Sequence, residues 1–129
     1  MKIFDCTTYF DEPLLFELRL NILDEYIDEF IVSEATFTHS GQNKKINFNK
    51  NNYPRFKDRI THIIVEKEPD DLFEVDELNE SNNSLFRLNA SKRIEKQRNE
   101  TISHFNKENS DDWIIYSDSD EIPNLSKIN

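Results

Sequence analysis

The sequence predicts an α/β fold: a mostly parallel sheet with flanking helices. Three observations carry this. Short β-branched and aromatic runs alternate with segments of helical spacing, the pattern of strand–helix–strand units. The last apolar run, Trp113-Ile-Ile-Tyr116, stops in a cluster of carboxylates followed by Pro123, as a buried strand does where it opens into a loop. The chain has 129 residues, 36% hydrophobic and 12% aromatic, enough for a single domain with its own core spanning residues 1–129.

Residues 2–9 (Lys-Ile-Phe-Asp-Cys-Thr-Thr-Tyr) form the first predicted strand. Asp11 is placed to cap the following helix, and Pro13 is tolerated in its first turn. Leu14, Leu15, Leu18, Ile22 and Tyr26 recur at three- and four-residue spacing, which predicts an amphipathic helix over residues 12–26. Phe30-Ile-Val32 is a second strand, ending at Ser33-Glu34, and a polar stretch at 36–52 holds the only glycine, Gly41. Ile60 to Val65 is a third strand. The acidic segment 66–80 reads as a solvated loop or a helix with a polar face. A longer helix is predicted over 85–105, with Phe86, Ala90, Ile94, Ile102 and Phe105 on one face and Arg98 among them.

Composition removes several function classes. A formal net charge of −10 opposes a nucleic-acid partner, although a local basic patch still suffices for a small nucleotide. A single cysteine, Cys6, rules out an internal disulfide and a cysteine-based zinc site, and it reads as a buried strand residue. One glycine cannot build a phosphate-binding glycine loop or a dinucleotide fingerprint. His39, His62 and His104 lack metal-ligand spacing and read as structural. No apolar leader and no transmembrane segment is visible, so the expected location is cytoplasmic.

The chemistry concentrates in Asp118-Ser-Asp120-Glu121. Asp118 and Asp120 flank a small residue and can turn toward a common point. Carboxylates at a rigid strand end make a hard-oxygen site for Mn²⁺ or Mg²⁺ with room left for phosphate oxygens. Many nucleotide-sugar glycosyltransferases hold the metal and diphosphate of their donor with such an Asp-x-Asp pair. A calcium loop would want further ligands and a turn glycine, and a phosphatase with an aspartyl nucleophile would carry the pair after its first strand. A solvated turn is the bland alternative. Arg87, Lys92, Arg93, Lys96 and Arg98 precede the acidic strand with Glu95 as the only acid among them, which suggests the second half of a diphosphate pocket. Arg98, on an apolar stripe, needs a partner to offset desolvation; it serves either the donor or a core-edge acid. Glu34, at a strand end, either faces the same sheet edge or is a capping or salt-bridged acid.

Taken in order, these residues resemble glycosyltransferase family 17, the family of β-1,4-mannosyl-glycoprotein β-1,4-N-acetylglucosaminyltransferase. The likeness rests on Met1-Lys-Ile-Phe-Asp-Cys6, on Leu15-Phe-Glu-Leu-Arg19-Leu20, and on Phe30-Ile-Val-Ser-Glu34-Ala-Thr with Gly41 soon after. Gln97-Arg98-Asn99 and Ser117-Asp-Ser-Asp-Glu-Ile-Pro123 complete it. The resemblance implies a GT-A-like, Rossmann-like domain that takes a UDP-sugar donor, UDP-N-acetylglucosamine or a relative, with Mn²⁺ or Mg²⁺, and transfers the sugar to a glycan acceptor. It would place Asp120 on the metal, Asp118 on the ribose or the metal, and Glu34 and Arg98 along the donor. Inversion at the anomeric carbon requires a general base, and Glu121 is the only nearby candidate.

The chain ends at Asn129, where a glycosyltransferase of this type would continue into further strands and an acceptor-binding half. The expectation is therefore an N-terminal part of such a domain, truncated after the Asp-x-Asp strand. An open sheet edge there would favour self-association. Two other functions compete: a non-catalytic nucleotide- or metal-binding α/β module, and another metal-dependent phosphoryl-handling enzyme.

Overall fold

The computed structural model describes residues 1–75, 83–105 and 111–127. Its elements run β1 (Ile3–Thr8), α1 (Pro13–Leu23), β2 (Glu29–Ala35), β3 (Ile60–Val65), α2 (Asn83–Ser103) and β4 (Trp113–Asp118), with 3-10 turns at Lys50–Asn52, Lys57–Arg59 and Leu125–Lys127. The four strands pair in parallel in the order β3-β2-β1-β4, so the fold is α/β and Rossmann-like. From β1 the chain builds outward through β2 to β3, then returns to the other side of β1 as β4. That reversal opens a crevice beyond the carboxyl ends of β1 and β4, where ligands bind in open α/β sheets.

Strand alternation sends Phe30, Val32 and Ile60 to the face covered by α1, where they pack with Phe16, Leu20, Leu23 and Phe56. Each such side chain, fully buried, contributes roughly 1.5–3 kcal/mol of transfer free energy. The buried stripe of α1 is Phe16, Arg19, Leu20 and Leu23; of the expected stripe, Leu14, Leu18 and Ile22 are exposed, Leu15 is half-buried, and Tyr26 packs against the core from beyond the helix. Both sets have helical spacing. The inner one reads poorly because it contains a charge, and that charge is met by Asp5. Asp11 is not the cap either: Glu12 occupies that position, its carboxylate turned back to accept from the backbone N–H of Phe10 and Asp11.

The second helix departs from expectation in the same way. Its buried residues are Asn89, Gln97 and Thr101, while Phe86, Ile94 and Ile102 are exposed. The polar choice is physical, because these side chains bind backbone groups of β2 and of the loop that α2 packs against. Gln97 Nε2 donates to the Ser33 carbonyl at 3.0 Å, and Asn89 exchanges hydrogen bonds with the backbone of Phe73. Phe105 does pack inward, edge-on to Phe4. The acidic segment begins as a loop along α2, and its residues 76–80 lie outside the described residues. No helix among the described residues is long and apolar enough to cross a membrane.

Candidate functional site

β4 delivers its carboxylates to the mouth of the crevice. The strand ends at Asp118, and the Glu121 amide donates to the Asp118 carbonyl at 2.9 Å, closing a tight turn. Within that turn, carboxylate oxygens of Asp118, Asp120 and Glu121 lie within 4.8 Å of one another, all on exposed side chains. Three converging hard oxygens suit Mg²⁺ or Mn²⁺, and their exposure leaves room for other ligands. Asp118 and Asp120 are thus brought together as the spacing predicts, and Glu121 joins them.

A cavity of about 560 Å³ opens beside this turn, bounded by the ends of β1 and β2, the loop at 37–40, and α2 at Gln97. Its volume lies in the usual range for small-molecule sites. Tyr9, Ala35 and Phe37 give it an apolar floor, while Thr8, Thr38, Lys44 and Asp118 supply polar groups. Asp118 is the only residue common to the cavity wall and the carboxylate cluster. That shared residue ties the two features into one site.

The cavity's outer loop is shaped locally. Phe37 bridges to Asn43, the Thr38 amide donates to the Gln42 carbonyl, and the Gly41 amide donates to the Thr38 carbonyl. Gly41 has φ +89, a conformation that glycine adopts without the penalty of a Cβ. Arg93 pins this turn to α2, donating from Nη1 to the His39 carbonyl and from Nε to Glu68. His39, expected to be structural, lines the cavity. Its position just past a strand's carboxyl end is the signal that could have found it. His62 and His104 lie elsewhere: His62 against Glu34, His104 beside Phe105.

Two expected donor contacts are placed differently. Glu34 is fully buried behind the cavity wall, where its carboxylate accepts from Lys44 Nζ, the amides of Asn47 and Phe48, and His62 Nε2. A carboxylate so fully engaged braces the loop, and Lys44 rather than Glu34 reaches the cavity. Arg98 is exposed, with its guanidinium 5.1 Å from the Tyr116 ring centroid, and is not among the residues that line the cavity. Nor does the basic run form half of a phosphate pocket. Lys92 pairs with Asp71, Arg93 with Glu68 and Lys96 with Glu100, so these bases largely answer the chain's own acids.

Beneath the acidic turn lies a residue whose part the sequence did not reveal. Arg19 is fully buried, and its guanidinium binds the Asp5 carboxylate through Nε and Nη2, both at 2.7 Å. The remaining donors reach Ser117 Oγ at 2.5 Å and the carbonyls of Asp118 and Glu121, each at 3.0 Å. Strand pairing explains the meeting: Asp5 lies opposite Ile115 in β4, which directs both toward α1.

No curated protein and no solved structure matches the chain significantly. The model of glycosyltransferase family 17, in contrast, matches residues 1–129, covering every strand and the carboxylate turn alike. With a parallel α/β sheet and a cavity at its carboxyl edge, that full-length match decides the matter: the chain belongs to glycosyltransferase family 17.

Proposed function

We propose that the cavity binds a nucleotide-sugar donor, UDP-N-acetylglucosamine or a close relative, and that Asp118 and Asp120 hold a divalent cation at its diphosphate. A glycan hydroxyl is the acceptor. The observation that carries this reading is the double membership of Asp118, which lines the cavity and converges with Asp120 and Glu121. A ligand in the cavity with an anionic end at the turn needs a cation there, because three carboxylates would otherwise repel it. Bound Mn²⁺ or Mg²⁺ would neutralise the departing diphosphate as a Lewis acid.

The chain's own groups supply the rest. Tyr9, Ala35 and Phe37 offer apolar surface for a base or sugar face, and Thr8 and Thr38 offer hydroxyls for orientation. Lys44, paired with Glu34, brings an ammonium group to the cavity wall. Glu34 acts through the loop that it anchors. Glu121 shares the carboxylate cluster, and a carboxylate drawn onto a cation is a weak base, so its part is with the metal more than with the acceptor's proton. Arg98 is left outside the donor's immediate contacts.

Calorimetric titration of UDP-N-acetylglucosamine with and without Mn²⁺ tests the reading. Metal-dependent binding by the wild type, lost in Asp118→Ala/Asp120→Ala, supports it. No binding by the folded wild type, with or without Mn²⁺, would overturn it.

A further inference from the structure

We propose that Arg19, fixed by Asp5, is a positioning residue for the carboxylate turn: it holds the backbone of residues 117–121 so that Asp118, Asp120 and Glu121 converge. The inference rests on the reading that this turn holds a cation.

The geometry is unusually complete. A guanidinium has five N–H donors, and here each has an acceptor within 2.5–3.0 Å. Two go to Asp5, which neutralises the charge and fixes the plane of the fork. Three go to the turn: one to Ser117 Oγ, and one each to the carbonyls of the first and last of the clustered carboxylate residues. Ser117 Oγ in turn donates to the Glu121 carbonyl at 2.8 Å, so that carbonyl is held twice. Arg19 and the turn are about a hundred positions apart in sequence, and the contact exists only because β4 lies beside β1.

General stability does not account for this arrangement. A buried ion pair is weak evidence for stability, since well-packed apolar residues often serve as well in its place. An apolar pair could not bind two carbonyls and a hydroxyl of the same turn. With its carbonyls drawn inward to Arg19, the turn leaves its carboxylates on exposed side chains. Groups that orient metal-binding residues from behind commonly influence affinity by about 10–100-fold.

The test reads Mn²⁺ affinity by calorimetry, with Mn²⁺ alone as the probe, on variants shown to be folded by circular dichroism. Arg19→Lys keeps the charge but cannot span Asp5 and the turn. Ser117→Ala removes one acceptor of Arg19 and one donor to Glu121, leaving the ion pair intact. Ser117→Thr restores the hydroxyl. Phe56→Leu is the control, a core change remote from the turn. The expected result is affinity weakened about 10-fold or more in Arg19→Lys. Ser117→Ala should also be weaker, with Ser117→Thr and Phe56→Leu near wild type. Should Arg19→Lys fail to fold, the Ser117 pair decides. Unchanged affinity in Ser117→Ala, or an equal loss in Phe56→Leu, overturns the positioning role; binding that Asp120→Ala still abolishes would then leave the cation site standing. No Mn²⁺ binding by the wild type would overturn both.

Discussion

Lys44 Nζ lies 2.5 Å from the Glu34 carboxylate, and the two together join the cavity wall to the centre of the sheet. Glu34 is fully buried and accepts from two loop amides and His62 as well. Removing it would strand these donors and leave the Lys44 ammonium, itself largely buried, without its carboxylate. Truncation of one member of a buried ion pair typically costs about 3–5 kcal/mol. Glu34→Ala is therefore expected to lose stability of that order in urea unfolding, with Glu34→Gln losing less because it keeps an acceptor. A Glu34→Ala variant as stable as the wild type would show that the loop is held by other contacts.

The sequence announced the strands and the acidic turn because their signals are local. An apolar run bounded by turn residues is enough to place Ile60–Val65, and one-residue spacing is enough to bring Asp118 toward Asp120. What it hid depends on partners distant in the chain. In the sequence Arg19 stands out only by its family likeness, because its acceptors lie in β1 and in a turn about a hundred residues away. Gln97 and Thr101 are absent from the apolar set that periodicity selects on α2, yet both are buried, and Gln97 donates to the Ser33 carbonyl of β2. Glu34 was correctly placed at a strand end, but whether a carboxylate there faces a ligand or a loop is decided by the fold of residues 36–48.

His62 gives stability a pH dependence of defined sign. Burial holds its imidazole below the ordinary value of 6.5, against the opposing pull of Glu34, while Lys44 and Lys50 also disfavour the charged ring. The unfolded chain takes up the proton near 6.5 and the folded one only at lower pH, so between those points the unfolded state binds more protons. Stability from this group is present above 6.5 and is lost as pH falls through the folded value. Urea midpoints measured at pH 7.5 and pH 5 should fall on acidification, and less steeply in His62→Gln. Equal slopes in the two proteins would remove His62 as the cause.

Cys6 should be inert in the folded protein. Burial, and next the Asp5 carboxylate, push its thiol up to about 12, and the side chain is fully enclosed. Reaction requires the thiolate, and a thiol at that value holds roughly a thousandth or less of the thiolate of a free one near 8.5. Alkylation by iodoacetamide at pH 8 is thus expected to be slower by at least ~1,000-fold in buffer than in denaturing urea. Fast labelling under native conditions would mean that β1 is opened far more readily than its central place in the sheet implies.

Asp118 and Asp120 should fail differently when neutralised. Both converge in the carboxylate cluster, but only Asp118 also lines the cavity. Asp120→Asn removes a charge of the same cluster that lies off the cavity wall, so it should abolish the Mn²⁺-dependent gain in donor affinity and raise weak metal-free binding less than Asp118→Asn does. Asp118→Asn changes the cavity wall as well. In the absence of metal it removes a carboxylate that repels the donor's diphosphate, so metal-free affinity should rise modestly while the Mn²⁺ gain is lost. Titrating UDP-N-acetylglucosamine into both variants, with and without Mn²⁺, reads these four affinities directly. If the two substitutions gave the same metal-free affinity, Asp118 would have no separate contact with the donor, and the cavity and the carboxylate turn would have to be treated as neighbours rather than one site.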